Sequence, residues 1–265
     1  MQENNTRLID EALSAEPIKN TFRLGWEFVT LNKKFTYISL AIAVGMNLLS
    51  YLDPSLAFFV MLIYGFYMIA VQIEVGRVIH GTQNIETFIA DVEAVDVKNV
   101  IKGHVERAIG SVIGWSLVYT GVMVLFAVAG FMIYAIIGSP NETLVLTLIP
   151  AGVLLLLVAY LQPLIQAKVA LSANIEEAMF SVFSIVKPEL RIRAFSKSYF
   201  KYVASLLFVL LAIPFALTMI HGMGLFSSVP LLNEILMIFL PMAVYVTTVI
   251  MSVGYMMSAR MVGEV

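Results

Sequence analysis

Residues 108–171 read AIGSVIGWSLVYTGVMVLFAVAGFMIYAIIGSPNETLVLTLIPAGVLLLLVAYLQPLIQAKVAL, and this stretch decides the fold. It holds two apolar runs, Ala108 to Ile137 and Leu144 to Leu171, separated only by the polar corner Gly138 to Thr143. A helix needs roughly 20 apolar residues to cross a hydrocarbon core of about 30 Å, and both runs exceed that. A corner so short makes the two helices antiparallel neighbours, so the stretch reads as a transmembrane hairpin.

Composition extends that reading to the whole chain. Of 265 residues, 60% are hydrophobic and 13% charged, against about 45–50% and about 25% in soluble domains. One membrane domain, 1–265, is expected. The chain has no Cys, which excludes disulfides, thiol redox chemistry and thiolate metal ligands. Residues 1–33 carry Glu3, Asp10, Glu11 and Glu16, at odds with a cleavable signal or an acid-poor transit peptide.

Working outward, spans are expected at Phe35 to Leu52 and Pro54 to Val75, then at Tyr199 to Phe226 and Ile235 to Met257. Between the hairpins lie polar segments with helical apolar stripes. In 1–33 the stripe is Ile18, Phe22, Gly25, Trp26 and Val29, with Pro17 in the first turn. In 77–107 it is Ile85, Phe88, Ile89 and Val92. In 172–198 it is Ile175, Met179, Val182, Phe183, Val186 and Leu190, interrupted by Pro188. The expected fold is therefore an all-α integral membrane protein with six transmembrane helices in three hairpins (34–76, 108–171, 199–265). Each hairpin is preceded by a cytoplasmic amphipathic interfacial helix. Asn84-Ile85-Glu86 recurs as Asn174-Ile175-Glu176, an offset of 90 residues, which suggests an internal repeat.

The charges predict an orientation. All 16 Lys and Arg fall outside the connections 51–54, 138–143 and 222–234. Basic residues beside spans stay on the cytoplasmic side, so both termini are expected there.

Polar residues near the basic ends of spans are the site candidates. Gln72, Glu74, Gln162, Gln166 and Lys168 are candidate lipid or solute contacts, with Glu74 paired to Lys168. Trp26, Arg191, Arg193, Lys197 and Lys201 are candidate headgroup contacts. Gly110, Gly114 and Gly121 give a small-residue spacing for close helix packing. The span centres offer hydroxyls such as Tyr64, Tyr67 and Tyr245 but no ionisable carboxylate or amine, which disfavours a proton-coupled carrier. Pro150, Pro163, Pro214 and Pro241 are candidate kinks. Met219, His221 and Met223 form a candidate soft-ion cluster. His80, His104 and His221 are too scattered in sequence for a shared metal site, and no phosphate-cradling loop or nucleophile elbow is present.

The segment Phe22 to Trp26 before a first span, the polar stretch between spans 2 and 3, and the Asn174 to Leu190 helix before span 5 carry a resemblance. In this order of segments the chain resembles the YciC-like bacterial six-span inner-membrane proteins, which implies a bacterial inner membrane and no particular activity. The expected function is non-enzymatic: an accessory subunit, scaffold or self-assembling protein acting through protein or lipid contacts. The alternative is a passive channel or transporter for a small or lipid-like solute. Membrane lipids, a membrane protein complex or a second copy are the expected partners. No nucleic acid, cofactor or metal is expected.

Overall fold

A computed structural model describes residues 7–222 and 230–265, with side chains described outside 211–234, 236 and 237. Among the described residues all regular structure is helical. In chain order the helices are α1 (Leu8–Ser14), α2 (Pro17–Leu31), α3 (Lys33–Leu52), α4 (Ala57–Gly81), α5 (Ile85–Ala94) and α6 (Val97–Ile137). There follow α7 (Pro140–Leu171), α8 (Ile175–Phe183), a 3-10 turn (Ser184–Val186), α9 (Pro188–Ala194), α10 (Lys197–Gly222) and α11 (Pro230–Met261).

Among the described residues five stretches are long and apolar enough to cross a membrane: Lys33–Leu52, Ala57–Gly81, Val97–Ile137, Pro140–Leu171 and Ile238–Met261. The expected fifth span falls on α10, where side chains beyond Leu210, and the segment 223–229 beyond it, lie outside the described residues. The candidate cluster Met219, His221 and Met223 lies there too. Helix α7 runs unbroken through Pro150 and Pro163, and α11 through Pro241.

The central hairpin corner is tighter than the sequence suggests. Gly138 closes α6 with φ 69°, its N–H bonded to the Tyr134 carbonyl at 2.8 Å. Only a residue without Cβ takes that conformation freely. Pro140 then opens α7 at the position where its missing N–H costs nothing.

At the other end the helices overrun the expected boundaries. Asp96 accepts from the Lys98 N–H at 2.9 Å and starts α6 at Val97. Residues 97–107, expected in the polar connection, are thus the first three turns of a 41-residue helix. At 1.5 Å per residue that helix is about 60 Å long, about twice a hydrocarbon core.

The core occupies the half of the bundle away from the corners. Burial on α6 ends at Trp115, and on α7 it begins at Val158. Helix α11 is central, touching α2, α3, α4, α7 and α10. Its Tyr245, Val249, Val253, Met256 and Met257 are buried against Val71, Ile73 and Ile79 of α4 and Leu161, Leu164 and Ile165 of α7. The rest of the α6–α7 hairpin is apolar and exposed, including Met123, Phe131, Ile136, Ile149 and Leu156. Such a surface is stable only in an apolar solvent or beneath a partner.

The short helices are seated on this bundle. On α2 the expected stripe holds except at Trp26: Gly25 and Val29 are buried and Ile18 and Phe22 pack partly buried against the core, with Thr21, Leu24 and Phe28 buried beside them. The cause is α11. A Cβ on Gly25 would lie 2.8 Å from Ile250, so the helices meet along the Gly25 face and Trp26 is left 58% exposed on the far side.

The expected stripes of α5 and α8 are half buried. Phe88 and Val92, and Ala178 and Val182, are covered, whereas Ile85, Ile89, Ile175 and Val186 are exposed. Asn32 caps α3 by accepting from the Phe35 N–H at 2.9 Å. Its amide donates to the Val92 and Val95 carbonyls at 2.8 and 2.7 Å, locking the end of α5.

The 90-residue spacing has a structural counterpart. Thr82 and Ser172 end α4 and α7 with hydroxyl bonds to Val78 and Val169 carbonyls at 2.6 Å each. Asn84 and Asn174 then cap α5 and α8, each accepting at 2.9 Å from an N–H three residues on.

Candidate functional site

Where α4 ends and α6 begins, the two helices bring a charged cluster together. Glu74, Arg77 and His80 follow one another at three-residue steps on α4, and His104 and Arg107 do so on α6, so each set lies on one helix face. The His104 ring is buried, and its Nε2 meets the Glu74 carboxylate. Its Nδ1 lies 2.7 Å from Arg107 Nη1. A guanidinium only donates, so Nδ1 is the acceptor and the ring proton is on Nε2, facing the carboxylate.

Arg107 is fixed further by bonds to the Gly103 carbonyl at 3.1 Å and the Ala173 carbonyl at 3.2 Å, which tie α6 to the link between α7 and α8. Its Nε is buried without a partner among the described residues.

Glu74, Arg77, His104 and Arg107 line a cleft of about 550 Å³ together with Asp91 and Asn99. A second hollow of about 410 Å³ adjoins it, sharing Arg77 and Arg107 and adding His80 and Ser172. Asp91 accepts from the Thr82 hydroxyl at 3.2 Å. The arrangement is a wall of hydrogen-bond donors whose two carboxylates are already engaged.

Of the five sequence candidates for solute or lipid contact, Glu74 alone lines this cleft. The expected Glu74–Lys168 pair does not form. Lys168 Nζ instead lies 2.6 Å from Glu264, which also takes Arg193 at 3.1 Å. The reason is the end of α11: Gly263 adopts φ 70° and the Glu264 N–H bonds the Ala259 carbonyl at 2.9 Å. This left-handed turn swings the last residues back across the bundle. Arg260 completes the closure with a bidentate bond to Asp10 at 2.7 and 2.9 Å, and these bonds hold the Asp10 carboxyl below its ordinary range.

Gln166 is buried, its Oε1 without a partner among the described residues, while Gln72 and Gln162 are half-buried. Arg193 is turned to Glu264, whereas Lys197 and Lys201 are exposed. Gly110 and Gly114 pack as expected: a Cβ on Gly110 would strike the Ile175 carbonyl oxygen, and one on Gly114 would lie 2.9 Å from Met179 O and Val182. Gly121 does not, because nothing lies within 4 Å of its would-be Cβ.

Gly121 instead opens a groove of about 390 Å³ between α6 and α7. Its walls include Leu117 and Leu125 of α6 and Leu157 and Leu161 of α7, with Arg191 at the basic end. The Arg191 Nη2 donates to the Val186 carbonyl at 2.5 Å, and its Nε is buried without a partner among the described residues. A similar groove of about 500 Å³ runs between α2–α3 and α11, lined by Tyr37, Leu40, Phe239 and Met242 with Trp26 and Lys33 at the polar end.

Sequence reasoning missed Arg77, His80, Asp91, Asn99, His104 and Arg107. The signal that finds Arg77, His80, His104 and Arg107 is the three-residue recurrence of charged and imidazole side chains at the matching ends of two adjacent helices; Asp91 and Asn99 join the lining through the fold alone. Comparison with known proteins found no matching family model, no matching curated protein and no matching solved structure.

Proposed function

We propose that this chain is a six-span protein of the bacterial cytoplasmic membrane that works through contacts, chiefly with phospholipids, rather than by catalysis. The observation that carries this reading is the groove between α6 and α7. From Leu117 to Leu125 it extends about 12 Å along α6, close to the roughly 15 Å thickness of one hydrocarbon leaflet. Its walls are aliphatic, and the Arg191 guanidinium stands at one end.

Counted from Ile137 at the corner, Leu125 and Leu117 lie about 18 and 30 Å down α6. The groove therefore matches the leaflet nearer the basic end, with Arg191 at headgroup depth. An acyl chain fits the slot, and a headgroup phosphate suits the cation. The groove at Trp26 and Lys33 repeats the arrangement on another side of the bundle, with an aromatic ring and a cation where headgroups lie.

In this reading α2, α5 and α8 lie at the cytoplasmic interface, and the segment order resembling YciC-like proteins supports the same membrane. Native mass spectrometry of the protein in mild detergent tests the proposal. Wild type should retain phospholipid. Gly121→Leu, which fills the groove from a position where a side chain meets no protein atom, should retain less than half as much. Gly45→Leu is the control, since Gly45 is equally open and lies away from the groove. Equal lipid retention by all three proteins sinks the reading.

A further inference from the structure

Helices α4 and α6 leave two guanidiniums, Arg77 and Arg107, lining the same two adjoining hollows. Among the described residues neither has a carboxylate at ion-pair distance. This contrasts with Arg23, Arg193 and Arg260, which pair with Glu27, Glu264 and Asp10. The acids nearby are turned elsewhere: Glu74 meets His104, Asp91 accepts from Thr82, Glu177 accepts from the Ala173 N–H, and Glu106 acts on Arg107 only through space. Two like charges lining one cleft, with no carboxylate in contact with either guanidinium, leave room for an anion between them.

The donors present the right geometry. Arg107 spends both Nη1 hydrogens and one on Nη2 within the protein, which fixes its plane and leaves Nε–H and one Nη2–H. Arg77 is exposed and has all five N–H groups free of protein partners among the described residues. Asn99 and His80 add neutral polar groups on the lining. A guanidinium fixed by three bonds and an exposed one lining the same cleft suit a tetrahedral oxyanion, which accepts bidentate bonds on two sides. The Glu74–His104 contact is the part that sets the Arg107 plane, because His104 receives one of its bonds.

We propose that this cleft binds a phosphate group between Arg77 and Arg107. The site is separate from the apolar grooves and stands or falls apart from them. At about 550 Å³ the cleft exceeds a bare phosphate, so the group belongs to a larger molecule. His104 lies about 50 Å along α6 from its corner, beyond a hydrocarbon core of about 30 Å. At that level the cleft faces the aqueous side, where a soluble phosphomonoester reaches it directly and a headgroup must rise from the bilayer to do so.

The test is calorimetric titration of the purified full chain in detergent with two probes, inorganic phosphate and short-chain dioctanoyl phosphatidic acid. Dioctanoyl glycerol is the phosphate-free control. Saturable binding of both probes, or of either alone, supports the site; phosphatidic acid alone assigns a headgroup and inorganic phosphate alone a soluble ligand. Arg77→Ala should weaken that binding at least tenfold without lowering thermal stability, since Arg77 has no structural partner to lose. Arg23→Ala should leave it unchanged. Failure of both probes to bind wild type, binding by dioctanoyl glycerol as tight as by phosphatidic acid, or Arg77→Ala binding like wild type overturns the proposal.

Discussion

At the scale of single residues, three glycines on one helix face separate packing from openness. Gly110 and Gly114 are where α8 lies against α6, and the backbone oxygen of Ile175 occupies the space a Cβ needs at Gly110. Backbone cannot swing aside as a side chain can, so Gly110→Ala should destabilise the protein by about 1–3 kcal/mol, the usual cost of overpacking. Gly121→Ala meets nothing and should be neutral or stabilising by up to about 1 kcal/mol, because Ala is the better helix former. Thermal unfolding in one detergent compares them, and an unfolding temperature for Gly110→Ala at or above that of Gly121→Ala refutes the packing assignment. The small-residue spacing was legible in sequence. Which glycine is covered was not, since that depends on where α8 ends up. The same limit explains the misassigned Glu74–Lys168 pair. Depth along a span placed both residues near the basic end, but their partners come from 30 residues downstream of Glu74 and from beyond the turn at Gly263.

At the scale of elements, the helices were legible and their junctions less so. Hydrophobic runs mark α3, α4, α7 and α11 to within about six residues at each end, and α6 except at its start. The polar run Val97–Arg107 does not end a helix, because Asp96 caps a helix that carries its polar turns out past the core. The amphipathic stripes marked α2, α5 and α8, but the face that is buried depends on the partner, and on α2 contact with α11 turned Trp26 outward. The repeated motif Asn-Ile-Glu proved informative through its first residue. Asn84 and Asn174 each satisfy an otherwise orphan N–H at the start of a helix that covers the bundle. Asn84→Ala and Asn174→Ala should each cost about 1 kcal/mol, within the usual 0.5–2 kcal/mol for a lost cap. Hydrogen exchange should quicken at residues 85–88 in the first variant and 175–178 in the second, with no crossover. Unchanged exchange in both would show that packing alone holds these helices.

At the scale of the whole molecule, the contacts sort the charges as the sequence does. Asp10, Lys168, Arg193, Arg260 and Glu264 meet at one end of the bundle, so α1 and the end of α11 lie together. The same end holds Glu74, His104 and Arg107, and the bond from Arg107 to Ala173 joins the two groups. Helix α4 reaches this end from the corner at Asp53, and α6 leaves it for the corner at Gly138, so those corners stand at the opposite end. A bilayer across the bundle then separates a basic end from one bearing acids alone, and moving each Lys or Arg to its middle costs about 2.5–3.5 kcal/mol on insertion scales. The chain has no Cys to interfere with single reporter thiols. Asn141 and Ser198 are exposed at the two ends. Asn141→Cys should react with a membrane-impermeant maleimide on intact cells, and Ser198→Cys only after permeabilisation. Reversed labelling would keep the bundle and invert its orientation. Labelling of both residues from outside would put an even number of crossings between them where α7 alone is expected, and the paired-hairpin architecture would fail with it.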